Sequence, residues 1–114
     1  MKDLELAVRA LPGIVFWKDK DGVYQFVNRN FLAFIGRTEN EVLSKRDVDL
    51  FPEEMANHFR GVDQQVMESG KTLSSFQEQV LDASGSMVSV QVSKSPIFNE
   101  HGEVIGIVGI GMPD

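Results

Sequence analysis

The sequence predicts an α+β domain in which one β-hairpin precedes a block of helices and two more follow it. Three turns share one form, with Asp or Asn first and Gly last, at positions 19–22, 82–85 and 99–102. Asp and Asn side chains bond their own backbone two residues on, and Gly accepts a positive φ without steric cost. Each turn lies between β-branched or aromatic runs, so each predicts a hairpin. About sixty residues of helical pattern separate the first hairpin from the others.

Composition limits the classes of function. A chain of 114 residues is enough for one domain with a modest core. It has no cysteine, which excludes disulfides, thiolate metal sites and a cysteinyl adduct to a chromophore. Its net charge is −6 and its basic residues are scattered, so we expect neither nucleic acid nor an anionic membrane as a partner. No apolar run is long enough for a membrane span and the N-terminus lacks signal-peptide form, which favours a cytoplasmic location.

The N-terminal segment predicts a short amphipathic helix. Its apolar residues fall at i, i+3, i+4 and i+7: Leu4, Ala7, Val8 and Leu11. Pro12 and Gly13 end the pattern. We therefore assign residues 1–13 to a flanking or cap helix and residues 14–114 to the main domain. The apolar stripe has no partner within its own segment, so it either caps the sheet or pairs with the same helix of a second chain.

Local signals place the helices that follow. Asn28 suits a helix N-cap and Gly36 a helix end. Residues 38–41, Thr-Glu-Asn-Glu, form a capping box that predicts a second short helix. Asp47 or Asp49 is expected to cap a further single turn.

The longest predicted helix begins with Pro52 at its first position and ends at Gly70. Its apolar stripe consists of Met55, Phe59, Val62 and Val66.

Two of the later strands carry opposite patterns. Residues 87–94 alternate valine with serine or glutamine, which predicts one buried and one solvated face. Residues 103–112 are apolar on both faces, so we expect a central strand buried on both sides. Three glycines in this last strand, Gly106, Gly109 and Gly111, are expected to leave room for a close approach.

The order of these elements resembles the PAS family, the PAS/PAC sensory-box domains of bacterial histidine kinases and diguanylate cyclases. Residues 19–31 (DKDGVYQFVNRNF) resemble the family's opening hairpin and Asn-capped helix, and residues 36–43 (GRTENEVL) the turn and helix that follow. Residues 95–98 (SPIF) and 102–109 (GEVIGIVG) resemble its last hairpin. The resemblance covers residues 11–114. A GAF domain is the rival fold, but it opens with longer helices and uses six strands.

The resemblance implies a five-stranded antiparallel sheet with helices packed on one face, preceded here by the flanking helix. It also implies a sensory or dimerisation module at the front of a larger signalling protein, with an output domain C-terminal to it in the same chain. A small molecule bound non-covalently between sheet and helices is the first functional hypothesis. A ligand-free dimerisation module, acting as a homodimer through the N-terminal helix, is the second.

No catalytic constellation is present, so we predict that the domain is not an enzyme. The sequence contains no nucleophile elbow, P-loop or HExxH motif. Asp19 and Asp21 lack the later ligands that a calcium loop needs, and a hairpin turn explains them. We predict no metal site.

A haem-based gas sensor acting through His58 is the third hypothesis. His58 lies roughly 70° from the centre of the long helix's apolar stripe. Comparison with haem-binding PAS members places Phe59, not His58, at the ligand position. We therefore interpret His58 as a surface or boundary residue and His101 as solvated. Cysteine-dependent flavin photochemistry is excluded, whereas a non-covalent flavin is not. The cofactor is unknown.

The remaining candidate site is the space between the sheet and the long helix. Trp17, the only tryptophan, either closes this pocket or anchors a partner surface. The alternative for every member is an ordinary close-packed core. The predicted ligand-binding residues are Trp17, Phe31, Phe34, Met55, Phe59, Val62, Phe76, Val90 and Ile107.

Overall fold

A computed structural model describes residues 2–114 and has a five-stranded antiparallel sheet in the order β2-β1-β5-β4-β3. The strands are β1 (Ile14–Asp19), β2 (Tyr24–Val27), β3 (Leu73–Leu81), β4 (Met87–Phe98) and β5 (Val104–Pro113). The helices are α1 (Lys2–Arg9), α2 (Arg29–Ile35), α3 (Glu39–Val42), α4 (Asp47–Leu50) and α5 (Glu53–Ser69). The fold class predicted from the sequence is therefore confirmed. Within the described residues, no helix is long and apolar enough to cross a membrane.

All three predicted hairpins are present, because β1 pairs with β2, β3 with β4 and β4 with β5. The first turn shows the local interactions that form such a hairpin. Oδ1 of Asp19 accepts hydrogen bonds from the backbone N–H groups of Asp21 and Val23, at 2.9 and 3.0 Å. Gly22 closes the turn with φ of 85°.

The helix caps also follow the local signals, with two small differences. Asn28 caps α2 by accepting the backbone N–H of Phe31 at 2.9 Å, and Gly36 ends it. Before α4, Asp49 accepts the backbone N–H of Arg46 at 3.0 Å, so Arg46 is the N-cap residue and neither aspartate is. Pro52 precedes α5 rather than occupying its first position.

The buried stripe of α5 differs from the predicted one. Phe59 and Val66 are buried as expected, but their buried companions are Ala56 and Asp63. Met55 and Val62 are only partly buried. The helix presents Asp63 to the sheet because two lysines there pair with its carboxylate.

β5 is central, as predicted, but it is not buried on both faces. Its outward side chains Val108, Ile110 and Met112 remain 38–50% exposed. Apolar sequence predicts burial only where another element covers it, and α1 borders Val108 but not Ile110 or Met112. Leu4 and Val8 of α1 lie near Val15 and Trp17 of β1.

The glycines of β5 mostly accommodate neighbouring parts of this chain. A Cβ at Gly109 would overlap the ring of Phe16, and one at Gly106 would overlap the backbone of Lys18. Only Gly111 of the three lines the internal cavity described next. The expected room above this strand is therefore largely filled.

Candidate ligand-binding site

A small internal cavity lies between the inner face of the sheet and helices α2 and α5. The centre of a water molecule can move through about 50 Å³ of it, whereas roughly 10–15 Å³ is enough to hold one water. Its walls are mostly aromatic and aliphatic. Four polar side chains interrupt them: Lys18, Tyr24, Glu78 and Lys94. The accessible surface of the cavity is therefore almost entirely apolar, although these four polar side chains belong to its lining.

Four of the nine predicted site residues line this cavity: Phe31, Phe34, Phe59 and Val90. Ile107 is fully buried in the adjoining core but does not line the cavity. Phe76 shares the inward face with its cross-strand partner Val92, and its ring centroid lies 5.7 Å from Nζ of Lys94, yet it also stays outside the lining.

The remaining three predicted residues lie away from the cavity. Met55 borders a surface groove between α5 and β3, and Val62 does not reach the lining. Trp17 is 37% exposed on the opposite face of the sheet. Successive side chains on a strand alternate between faces, so the inward positions of Phe16 and Lys18 direct Trp17 outward. Of the two roles considered for Trp17, its position is compatible with a partner surface.

The polar side of the cavity is a buried charge cluster formed by Lys18, Asp47, Asp63, Glu78 and Lys94. Nζ of Lys18 donates to Asp47 at 2.6 Å and to Asp63 at 2.7 Å. Nζ of Lys94 donates to Asp63 at 3.0 Å and to Glu78 at 3.1 Å. All five side chains are at least nine-tenths buried. The cluster joins β1, β3 and β4 to α4 and α5.

Tyr24 and several aromatic rings surround the cluster. The hydroxyl of Tyr24 donates to Oδ1 of Asp47 at 2.5 Å. Nζ of Lys18 lies 5.2 Å from the ring centroid of Phe16, and Nζ of Lys94 lies 5.6 Å from that of Phe59. Cation–π attraction at these distances adds to the ion pairs in holding the ammonium groups.

Two groups of this site have shifted pKa values. Burial raises the pKa of Tyr24 well above its usual 10.0, and the neighbouring Asp47 carboxylate raises it further. Burial acts to lower the pKa of Lys18, but the carboxylates of Asp63 and Asp47 outweigh it, so that pKa is raised above 10.5. Lys18 is thus held as a cation and Tyr24 as a neutral donor.

Sequence reasoning missed this cluster, although signals for it exist. Lys18 follows Ile14 and Phe16 at spacing two, and Lys94 follows Val90 and Val92 in the same way. A lysine at the inward positions of a strand needs a buried partner. Asp63 lies four residues after Phe59 and three before Val66, so it interrupts the buried face of α5.

His58 lies outside the cavity. It borders the groove between α5 and β3, its side chain is 60% exposed, and its Nε2 lies 3.9 Å from Oε2 of Glu78. The interpretation of His58 as a surface residue is therefore confirmed. Because it does not line the cavity, the structure gives the haem hypothesis no support.

A family model described as the PAS fold matches residues 8–112. The chain belongs to the PAS family. The resemblance inferred from the hairpins and the Asn-capped helix is thereby confirmed. PAS domains are generally non-catalytic sensory modules, and the match accounts for nearly all of this chain.

Proteins similar to this PAS domain include one relative found by sequence and several solved structures. A diguanylate cyclase of Vibrio cholerae serotype O1 is 28% identical over 107 residues, which is 93% of this chain and 33% of the cyclase. Among solved structures, the Vibrio cholerae VqmA dimer superimposes with a TM-score of 0.86 at 19% identity, covering 100% of this chain and 51% of that one. VqmA bound to DPO gives 0.85 at 20% identity, covering 100% and 57%. The PAS domain of Bordetella pertussis BvgS gives 0.82 at 19%, covering 99% and 85%.

The chain spans a third of the cyclase and just over half of each VqmA chain. At these identities the solved structures establish the fold.

Proposed function

We propose that this PAS domain is a sensory module that binds a small molecule non-covalently in the cavity beside the charge cluster. The observation that carries the proposal is the placement of Lys94 and Glu78 at the cavity wall, each nine-tenths buried or more. Sites for small ligands are typically apolar enclosures with a few fixed polar groups, and this cavity has that form. The structural similarity to VqmA bound to DPO supports a small ligand.

The energetics of buried ions also favour a functional role for the cluster. Taking charges out of water costs several kcal/mol per ion, and apolar residues of similar volume often give an equal or more stable protein. Stability alone therefore does not explain five ionisable groups at the centre of a small domain. A ligand that needs polar contacts in an enclosed site does explain them.

The module's place in a larger protein is part of the same proposal. The diguanylate cyclase relative is about three times as long as the matched region, which supports a longer parent of the cyclase type. A histidine kinase is the other parent considered, and the proposal places the protein in the cytoplasm. A ligand biases such a protein only by binding two states unequally, typically with about 1–3 kcal/mol of coupling. The signal would leave through β5 into a C-terminal output domain.

Native mass spectrometry and an absorption spectrum of the domain purified from cells test ligand binding first. We expect an excess mass that disappears on denaturation. A Val80→Phe variant places a larger side chain at the cavity wall and should lose that mass. Val48→Phe, the same change at an exposed position of α4, should keep it. Equal retention of the mass in both variants would contradict binding in the cavity.

A second function, homodimerisation, is favoured by the outer face of the sheet. Leu4 and Leu6 of α1 are 59% and 55% exposed, and Leu4 borders the same surface groove as Val108 of β5. Exposed apolar surface of this kind is typical of a protein interface. Removing residues 1–11 and measuring mass by light scattering tests it. We expect loss of the dimer, and a dimer of unchanged stability would exclude α1 from the interface.

A further inference from the structure

The two edges of the sheet differ in how they are covered. At one edge, Tyr24 of β2 donates its backbone N–H to the carbonyl of Lys45 at 2.9 Å and accepts the N–H of Ser44 at 3.1 Å. The segment after α3 therefore closes part of that edge. β3 forms the other edge, because it pairs with β4 alone. The outer side of β3 is thus the longer free edge of the sheet.

The backbone of β3 directs unpaired groups to this free edge. Asp82 donates its N–H to the carbonyl of Ser86 at 2.9 Å, in register with the ladder between β3 and β4. Because hydrogen-bonded pairs alternate along an antiparallel ladder, the N–H and C=O groups of Gln77 and Gln79 point away from β4. No other group within residues 2–114 bonds them. They can therefore pair with a further strand.

Most of β3 lacks the features that usually keep another strand from joining an edge, such as lysine, proline or a bulge. The bulge of β3 lies at its start, near Ser75, whose φ is 53°. Residues 76–81 contain neither lysine nor proline. The inward charge of Glu78 is another such feature, but Lys94 compensates it at 3.1 Å. Residues 76–81 therefore form a regular and accessible stretch of edge.

A surface groove of about 640 Å³ runs along the same edge, between β3 and the start of α5. Gln77 and Gln79 line it from one face of β3 and Glu78 from the other, so the groove follows the edge itself. Two of its lining residues are carboxylates and two are methionines, and none is lysine or arginine. The rest of the lining consists of Pro52, Glu54, Met55, His58 and Met87.

We propose that the free edge of β3 binds an extended segment of a partner protein, which pairs with Gln77 and Gln79 as an additional strand and places a lysine or arginine in the groove. In this mode of recognition, backbone hydrogen bonds supply affinity and pockets for alternate side chains supply specificity. A long basic side chain fits because its alkyl stem can contact Met55 while its charged head meets Glu54. A second copy of this chain is a poorer occupant, since each copy carries a net charge of −6.

A lysine-centred peptide, acetyl-Ser-Thr-Val-Lys-Val-Thr-Ser-amide, tests the proposal on the intact chain. Its two controls are the same peptide with glutamate in place of lysine, and the same peptide N-methylated at its three central residues. Dissociation constants come from ¹⁵N–¹H NMR titrations at pH 7.5. We expect binding to weaken about threefold or more with glutamate, and about tenfold or more with N-methylation because that change removes backbone donors.

Amide hydrogen exchange of Gln77 and Gln79 identifies the edge directly. Both N–H groups should exchange rapidly in the free protein and become protected when the lysine peptide is bound. Equal affinity for the N-methylated peptide, unprotected Gln77 and Gln79 at saturation, or no binding at millimolar peptide would overturn the proposal. Protection that rises with protein concentration in the absence of peptide would identify a second copy as the occupant, and would also overturn it.

The variants Glu54→Gln and Glu68→Gln separate the groove carboxylate from an exposed one elsewhere on α5. We expect the preference for the lysine peptide over the glutamate peptide to fall at least about twofold in Glu54→Gln and to persist in Glu68→Gln. Dispersed spectra establish that each variant is folded. An undiminished preference in Glu54→Gln would overturn the selection of a basic side chain by the groove.

Discussion

Each face of the sheet carries some residues of the type usually found on the other. The inner face buries Lys18, Glu78 and Lys94 against the helices, although charged residues are rarely buried. The outer face leaves Val108 and Met112 exposed. The same five strands thus place charge in the interior and apolar side chains at the surface.

This difference indicates a division of labour between the faces. The inner face can recognise polar groups in an enclosed site, where fixed charges act strongly because solvent does not screen them. The outer face can recognise another protein through apolar contact. The first hypothesis from the sequence, ligand sensing, and the second, dimerisation, therefore use opposite sides of one sheet and do not compete for surface.

The largest expected effect comes from breaking the ion cluster on the inner face. Asp63→Asn removes the carboxylate that both lysines share and leaves their charges without full compensation. We expect a loss of about 3–5 kcal/mol in the free energy of unfolding, because breaking a buried ion pair leaves an unpaired buried charge. Urea unfolding followed by circular dichroism measures it.

The matched control for that variant is Glu68→Gln, the same type of change at an exposed position of α5. Its free energy of unfolding should stay within about 0.5 kcal/mol of the wild type. Similar unfolding midpoints for both variants would show that the ion pairs of the cluster add no stability beyond what hydration of the same groups provides.

An intermediate effect is expected from alkaline titration of the inner face. Tyr24 is the only tyrosine, so absorbance at 295 nm follows it alone. The unfolded chain releases its tyrosine proton near pH 10 and its lysine protons near pH 10.4. The folded protein retains the protons of Tyr24 and Lys18, whose pKa values are raised. The unfolded state then binds fewer protons, so stability present below pH 10 is lost as pH rises above it.

We expect tyrosinate to form together with loss of tertiary circular dichroism, and not before it. Above pH 10, the free energy of unfolding of Tyr24→Phe should fall less steeply with pH than that of the wild type. The difference corresponds to one proton, about 1.4 kcal/mol per pH unit. Ionisation of Tyr24 near pH 10 in a fully folded protein would contradict its burial against Asp47.

The smallest effect is expected on the outer face. Met112→Ser removes a side chain that is 50% exposed, so the monomer should lose no more than about 0.5 kcal/mol of unfolding free energy. If this face is a dimer interface, the loss grows with protein concentration because association stabilises the folded state by mass action. Thermal unfolding at two protein concentrations distinguishes the cases. A concentration-independent midpoint for both proteins would count against an interface here.

The sequence was sufficient wherever the determining interactions are local. The turn at Asp19 and the cap at Asn28 depend on contacts between residues at most four apart, and both were predicted correctly. The order of elements then led to the fold. The central position of β5 was predicted from its apolar residues, whereas the order of the other strands was not predicted.

The site was less predictable because its contacts join distant parts of the chain. Lys18 meets Asp47 and Asp63 across 29 and 45 residues, and local patterns do not specify such partners. The prediction that the outer face of β5 is buried was wrong for a related reason. Ile110 is apolar, but its exposure depends on whether α1 reaches it. For Trp17 the sequence leaves two roles open, closing the pocket or anchoring a partner surface, and strand alternation with Phe16 and Lys18 places it on the outer face.

The shared carboxylate of Asp63 has a consequence for how the chain folds. Its partners come from the first strand and from the fourth, so the cluster spans most of the sequence and cannot close until β4 has joined the sheet. Contacts of such long sequence separation slow folding, because loop entropy is lost before they form. During synthesis, a nascent chain released only as far as β3 holds Asp63 and Glu78 without Lys94. The complete set of ion pairs therefore forms only after β4 has been synthesised.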